Sequence, residues 1–282
     1  MIGHTPLVSI VVPTFNRRNY LEDCVNGLLN QTYPNYEVII VDNNSNDGTE
    51  EFVIDRYSNI SHLRYVCEKS RGSSSAKNRG IKESRGEIVA FIDDDEVPFQ
   101  TWLEVCVRAF FETGALGIGG RVLLDWQKHK PPWWIKWTKA RAMIGEVDFG
   151  NARIEVKDWL PGGNFAFCKY VFEKAGFFST ICARVDDKLI GGEDVEFSQR
   201  AVKLGKLFYE PNMLIYHKVS SKKATLSYVF RSAFWRGVSK VIIKRKPKPR
   251  GVSDVVGKDA IISFFSGVGY LYGRLLQILK RI

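Results

Sequence analysis

Apolar residues follow two alternating rhythms over the first hundred positions. Residues 7–13 (LVSIVVP), 36–42 (YEVIIVD), 63–67 (LRYVC) and 87–92 (EIVAFI) are short, β-branched runs that end at polar turns. This pattern predicts four strands, the first two of them buried on both faces. Between them, Leu21, Cys24, Val25, Leu28 and Leu29 recur at helical spacing within 20–31, and 50–57 and 74–83 read as further helices. The alternation predicts an α/β fold: a mostly parallel, Rossmann-like central sheet with helices on both faces. Ligands bind such sheets at the carboxyl ends of the strands, where the polar loops after strands one, two and four fall.

The pattern then loosens. Residues 102–113 predict a helix and 116–124 a strand, whereas 126–160 is irregular and holds Trp126, Trp133, Trp134, Trp137 and Trp159. A short helix over 170–175, a clearer one over 194–204 and strand fragments at 207–209 and 214–217 follow. Two C-terminal helices, 227–243 and 259–282, flank the basic, Pro-containing segment KRKPKPR (244–250). No internal repeat is present.

Charge separates the two parts. With 45% apolar and 26% charged residues the chain is an ordinary globular one, and its formal charge is +10. Residues 218–250 carry 11 Lys/Arg and no Asp/Glu, and 251–282 carry four against two, which leaves 26 basic and 29 acidic residues in 1–217. The positive excess therefore belongs to the last quarter and implies a polyanionic surface as partner, anionic lipid or nucleic acid. Ile261, Phe264, Phe265, Val268, Leu271, Tyr272, Leu275 and Leu279 form an apolar stripe on the last helix, followed by Lys280 and Arg281. An amphipathic helix beside a polybasic segment predicts peripheral contact with a membrane; docking on the core or a second subunit is the alternative. The Trp–Lys cluster of 130–137 (KPPWWIKW) suits an interface, an acceptor groove or core packing. Five scattered cysteines without CxxC pairing (Cys24, Cys67, Cys106, Cys168, Cys182) argue for reduced thiols, against a disulfide framework or zinc site. The N-terminal MIGHTPLVSIVVPTF lacks a basic n-region and reads as a first strand, not a signal peptide. No apolar run reaches the roughly 18 residues of a membrane span.

The chemistry concentrates in polar loops. Asp93-Asp94-Asp95-Glu96 directly follows the fourth strand. Adjacent carboxylates stay ionised together only beside solvent, cations or hydrogen-bond donors. Mg²⁺ or Mn²⁺ takes few protein carboxylates and fills its shell with phosphate oxygens and water. A turn that brings Asp93 and Asp95 onto one ion would make such a site; a solvated acidic turn is the plain alternative. Asp42 ends the second strand and opens NNSNDGT, a loop of turn-forming residues whose first carboxylate can also accept a hydrogen bond from a base or ribose. Thr14 and Asn16 share that crevice side. Residues 71–80 (RGSSSAKNRG) lead into a helix, where backbone N–H groups can bind an anion or serine simply caps; the P-loop order is absent. Glu193 and Asp194, behind Gly191-Gly192, either complement a helix dipole or take a proton from an acceptor hydroxyl. Gly162-Gly163-Asn164 lets backbone approach a substrate closely. His217 ends the run LIYH and is either structural or an imidazole ligand of a divalent ion.

In order and spacing, VSIVVPTFNR, EVIIVDNNSNDGT, AKNRGIKESRGEIVAFIDDDEVP and GGEDVEFSQRAVKLG resemble the family 2 inverting glycosyltransferases of the GT-A fold, over about residues 6–217. These motifs address a site, which fold alone would not. The resemblance implies a catalytic domain over 1–217, with a nucleotide-binding half (1–100) and an acceptor-binding half (101–217), and a basic helical extension over 218–282. It implies that Pro13, Thr14, Asn16 and Asp42 hold the base and ribose, and that Arg71 and Asn78 contact diphosphate or base. Asp93, with Asp94 beside it, would face the donor, while Asp95, Asp93 and His217 would bind Mg²⁺ or Mn²⁺. Asp194 would be the general base, with Glu193 as neighbour or substitute, and Gly163, Asn164 and Trp159 would line the acceptor side. The expected reaction moves one sugar from a nucleotide-sugar, UDP-linked by default with GDP or dTDP as alternatives, to a carbohydrate or lipid-linked acceptor. A setting in cell-surface polysaccharide or glycolipid synthesis at the inner face of the cell membrane follows. The QxxRW motif of processive synthases is absent. Two other classes stand beside this reading: a metal-dependent nucleotidyltransferase, and a non-enzymatic nucleic-acid binder using the basic tail, though acidic crevice residues argue against nucleic acid as a partner.

Overall fold

A computed structural model describes residues 5–160, 162–182, 189–243 and 259–279. KRKPKPR (244–250), Lys280 and Arg281 lie outside the described residues. The first half runs β1 (Val8–Thr14), α1 (Arg18–Leu29), β2 (Tyr36–Asp42), α2 (Thr49–Tyr57), β3 (Leu63–Cys67), α3 (Ser73–Glu83) and β4 (Ile88–Phe91). β1 lies between β2 and β4 with β3 outside β2, all parallel. The register pairs Thr14 with Asp42, so the loops leaving β1 and β2 start side by side.

The second half runs β5 (Glu96–Pro98), α4 (Trp102–Thr113), β6 (Gly117–Asp125), α5 (Thr138–Met143), β7 (Ile154–Val156), β8 (Phe165–Cys168), α6 (Lys169–Ala175), α7 (Glu193–Ala201), β9 (Leu207–Lys218), α8 (Leu226–Ile242) and α9 (Asp259–Ile278). Strand order across the sheet is β3-β2-β1-β4-β8-β6-β9-β5, with β7 on β9. The parallel order holds through β4. Beyond it, β8 is antiparallel to β4 and β6, β9 is parallel to β6, and β5 and β7 are antiparallel to β9. The two fragments expected at 207–209 and 214–217 are one strand. It passes an irregularity at Gly120/Arg121, where a Cβ on Gly120 would fall 2.0 Å from the Met213 carbonyl.

Alternation along β1 feeds both faces. Val8, Ile10 and Val12 join a core with α1, α2 and α4, whereas Val11 joins a second core with α3, α6 and α7. The second core is aromatic: Phe91, Phe165, Phe167, Phe172, Phe178 and Phe197 interlock, and Phe172 stacks on Phe197 at 4.9 Å. Among the described residues Cys24, Cys67, Cys106 and Cys168 are free thiols.

The C-terminal helices build a third core with the irregular tryptophan segment. Trp134, Ala140, Ile144, Val229, Ala233 and Ile262 are its buried centre. α8 and α9 approach backbone to backbone: a Cβ on Gly237 would lie 2.0 Å from the Ser266 carbonyl, and one on Gly269 1.9 Å from that of Phe234. One side of α9 is therefore docked, while Phe264, Leu271 and Ile278 on the other are 64%, 69% and 73% exposed. Among the described residues no helix is long and apolar enough to cross a membrane.

Asn164, expected on the acceptor side, is instead a brace. It is fully buried, accepts from Trp102 Nε1 at 2.8 Å, and donates to the carbonyls of Arg121 (2.9 Å) and Met213 (2.8 Å). This ties α4, β6 and β9 together and leaves its side chain nothing to offer a substrate. Asn164→Leu leaves a buried indole N–H and two carbonyls without that partner. It should cost on the order of 3 kcal/mol, measured as a lower urea midpoint with an unchanged m-value.

Candidate active site

The site forms where the loops leaving β1, β2 and β4 meet the end of β9. Asp42 is buried at the end of β2, where its carboxylate accepts from Ser45 N (3.0 Å), Ser45 Oγ (2.5 Å) and Tyr65 Oη (2.7 Å). Asn16 holds a left-handed backbone at φ 51°, its N–H donates to Ser45 Oγ, and its Oδ1 accepts from Asn46 N, both at 2.8 Å. The first two loops are thus joined into one wall, with Pro13 opposite Val41 at its base. Arg71 is exposed and places its guanidinium 3.9 Å from the Phe15 ring centre. Asn78 pins the Phe178 backbone, donating to its carbonyl and accepting from its N–H at 2.9 Å each.

The acidic run is a tight turn between β4 and β5. Asp93 N donates to Glu96 Oε2 (3.0 Å) and Glu96 N to the Asp93 carbonyl (3.1 Å). Thr14 Oγ1 donates to Asp94 at 2.8 Å, while Arg17 Nη1 lies 2.9 Å from Asp94 and 3.0 Å from Asp95. β5 pairs Glu96 with His217 of β9, and Lys218 N donates to the Asp95 carbonyl at 2.9 Å. This register sets His217 Nε2 3.4 Å from Asp95 Oδ2. Lys223, on the turn after β9, places its ammonium 2.8 Å from both atoms.

Environment sorts these carboxyls. Burial pushes Asp94 up to about 6, with Asp95 adding to the shift and Arg17 opposing it. Burial alone would also raise Asp95, yet Lys223 foremost, with Arg17 among the rest, holds it well below the carboxylate range. Burial, then Asp93 and Asp95, drives Glu96 well above it. Of Asp94, Asp95 and Glu96, Asp95 is the firmly ionised one.

The Gly162-Gly163 turn connects this cluster to α7. A Cβ on Gly163 would fall 2.5 Å from Glu96 Oε1, and one on Gly162 2.6 Å from Asp194 Oδ2. Gly163 also sits at φ 83°, open mainly to glycine. The turn is wedged between the two acidic motifs and touches both. Asp194 lies in the first turn of α7, half-buried, and burial followed by Glu193 pushes it up to about 6. Glu193 pairs with the buried Lys77 of α3 at 2.9 Å, and the ammonium also feels Asp93 and Asp194. Trp159 is half-buried, edge-on to Phe149 at 6.0 Å. Its neighbour Leu160 donates to Ser198 Oγ, one turn beyond Asp194.

The sequence model of Glycosyl transferase family 2 matches residues 9–176, more than half of the chain and all of the loops just described except those of α7 and β9. The chain belongs to glycosyl transferase family 2. Glycosyltransferase AglE of Haloferax volcanii is 39% identical over 208 residues, covering 73% of this chain but 64% of AglE. The glucosyl-dolichyl phosphate glucuronosyltransferase of the same organism is 29% identical over 245 residues, covering 84% of this chain and 77% of that protein. Among solved structures, the mannosyltransferase PcManGT from Pyrobaculum calidifontis, in complex with GDP-Man and Mn²⁺, superposes with a TM-score of 0.63 at 20% identity over 98% of this chain and 74% of its own. S. aureus TarS 1–349 in complex with UDP gives 0.59 at 17% identity, covering 98% and 75%. These likenesses fix the fold as GT-A.

Within this family 2 framework, the expected residues fall into two groups. Thr14, Asp94, Asp95 and His217 converge on one cluster; Asn16 and Asp42 form the adjoining wall; Gly163 and Asp194 close the far side. Asn164 and Asn78 spend their amides on internal braces. Arg17, Lys77 and Lys223 are not among the residues expected from sequence, and Glu96 entered only as the last carboxylate of the acidic run. Arg17 had a signal, since it follows Asn16 in a crevice loop. Lys77 looked like one more basic residue of a capping segment, and Lys223 belonged to a stretch read only as a basic surface.

A divalent ion fits this donor set. An imidazole nitrogen and a carboxylate oxygen already converge on a cation, the Lys223 ammonium. Among the described residues no three His, Cys, Asp or Glu side chains gather as a ready cage. Asp95 and His217 would therefore share the ion with phosphate oxygens and water, the usual arrangement for Mg²⁺ or Mn²⁺ with a nucleotide.

Proposed function

We propose that this chain is a metal-dependent inverting glycosyltransferase that moves one sugar from a nucleoside diphosphate donor to an acceptor hydroxyl. The observation that carries this reading is the Gly162-Gly163 turn, pressed between Glu96 and Asp194, which brings a candidate base beside the acidic run. The wall of Pro13, Thr14, Asn16 and Asp42 receives base and ribose, with Arg71 at its rim. Asn78 shapes the floor through Phe178. Asp93 and Asp94 face the donor, and Asp95 with His217 holds Mg²⁺ or Mn²⁺. A divalent ion held by Asp95 and His217 would supply positive charge to offset that of the departing diphosphate. Asp194, with Glu193 held away by Lys77, takes the proton from the acceptor hydroxyl. Attack from the face opposite the leaving group inverts the anomeric centre. Gly163 backbone and Trp159 line the acceptor side.

UDP is the default nucleotide of this reading, with GDP and dTDP as alternatives; TarS was solved with UDP and PcManGT with GDP-Man and Mn²⁺. The acceptor is placed at the inner face of the cell membrane, lipid-linked, in cell-surface polysaccharide or glycolipid synthesis. The exposed apolar side of α9, the acid-free basic stretch 218–250 and the dolichyl-linked activity in the name of one relative support this. The nucleotidyltransferase and nucleic-acid readings have no such support.

A thermal-shift screen of UDP, GDP and dTDP, with and without Mn²⁺, tests the core of the proposal. One nucleotide should stabilise the protein by about 3 kcal/mol at a hundredfold excess over its Kd, and only with the metal. Stabilisation by none of them, with no release of sugar from nucleotide-sugars in Mn²⁺, would overturn it.

A further inference from the structure

Lys223 does something that the metal-site reading does not anticipate. It stands on the turn between β9 and α8, where its N–H donates to the Ser220 carbonyl at 2.9 Å. From there its side chain reaches back until the ammonium touches Asp95 Oδ2 and His217 Nε2, each at 2.8 Å. An ammonium can only donate, so Nε2 is the accepting nitrogen and its lone pair points at the cation. The ring proton then sits on Nδ1, a buried atom without a hydrogen-bond partner. That tautomer leaves the Nε2 lone pair and a carboxylate oxygen facing one point, and a neutral imidazole nitrogen is a common ligand of a divalent ion.

We propose that Lys223 is a tethered counter-ion that holds the divalent-cation position in the metal-free protein and must leave it when the metal arrives. The inference rests on the metal-site reading above. Asp95 is almost fully buried, and a buried charge without a partner is strongly unfavourable. Arg17 alone must also serve Asp94. The lysine therefore neutralises Asp95 and keeps this part of the fold together. A divalent ion and an ammonium cannot share two donors less than 3.5 Å apart, because like charges at that distance repel strongly in a low dielectric. The exit is short: the neighbouring Ser221 and Lys222 are exposed, and four side-chain torsions let the ammonium swing outward without moving β9. Metal alone must compete with an intramolecular cation of high effective concentration. Metal arriving with a diphosphate brings two additional ligands and the negative charge that favours the swap. The device makes metal binding conditional on nucleotide and guards the site against adventitious cations.

The test is Mn²⁺ binding without nucleotide, followed by the electron paramagnetic resonance of the free ion, on the full chain. Lys223→Met should bind Mn²⁺ at least tenfold more tightly than wild type, and should melt at lower temperature in EDTA, a deficit closed by saturating Mn²⁺. Lys223→Gln, which keeps a hydrogen-bond donor without the charge, should behave alike and serves if the methionine variant does not fold. Lys223→Arg should keep the weak wild-type affinity. Unchanged or weaker Mn²⁺ affinity in a folded neutral variant overturns the counter-ion role, since a merely structural lysine would give that result. Wild type and Asp95→Asn in UDP report separately on the metal site: equal Mn²⁺ affinity of those two overturns the metal-site reading itself, and the counter-ion role with it.

Discussion

Asp194→Asn is expected to lose sugar transfer by roughly 10²–10⁴-fold, the usual worth of a general base, while making the protein more stable. Both effects come from one environment. Burial and the neighbouring Glu193 raise the Asp194 carboxyl to about 6, so near neutral pH it is ionised yet basic enough to take a proton. Transfer by the wild type should therefore rise with pH along a limb centred near 6. The stability effect has the opposite sign. An unfolded chain releases this proton near its ordinary value of about 4, whereas the native state keeps it to about 6. Across that window the native state binds more protons, so stability falls as pH rises, and above it the full penalty of a buried charge is present. Asparagine never ionises and escapes that penalty. Since Asp194 is only half-buried, solvent screening trims the gain to about 1 kcal/mol at pH 7.5. Initial rates with donor and Mn²⁺ check the first effect, and calorimetry at pH 5 and 7.5 checks the second, with the gain largest at the higher pH. Near wild-type turnover in the variant would remove Asp194 from the base role and leave Glu193 as the candidate.

The parallel half of this sheet was legible because buried strands must be continuously apolar and the helices between them must be amphipathic. β1, β2 and β4 satisfy the first condition almost throughout, whereas β3 is a half-buried edge strand that carries Arg64. The second half was less legible for a physical reason. β5 (EVP) and β8 (FAFC) are too short to show a period, and they are strands only because β9 and β4 offer them unpaired edges. The motifs were legible one at a time, but not their closure. That Glu96 pairs with His217, or that Gly162 touches Asp194, is a matter of register and close approach that no local pattern encodes. A polar residue after two glycines, such as Asn164, reads as a loop that meets substrate, whereas Trp102, 62 residues earlier in the chain, claims its oxygen. The cationic half of the site escaped for a related reason. Anionic side chains cluster in sequence here, but the cations that balance them come from the loop before α1, from α3 and from the turn after β9.

Lys77 makes the strongest case for that balance. Lys77→Met should destabilise the protein by about 3–5 kcal/mol, the cost of breaking a buried pair from one side. The ammonium is almost fully buried, 2.9 Å from Glu193 Oε1, over the rings of Phe165 and Phe178 at 5.7 and 5.8 Å. Methionine fills the space but leaves Glu193, Asp93 and Asp194 facing one another without that cation. The loss should appear in the urea midpoint. Any residual activity should show its rising limb at a pH above that of wild type, because Lys77 is the main influence restraining Asp194. Adding Glu193→Leu should recover most of the stability, since a buried pair replaced on both sides by apolar groups is close to neutral. It should not recover turnover if Lys77 and Glu193 together hold the first turn of α7 in place for Asp194. A double variant as active as wild type would instead make the pair dispensable packing and detach it from the chemistry.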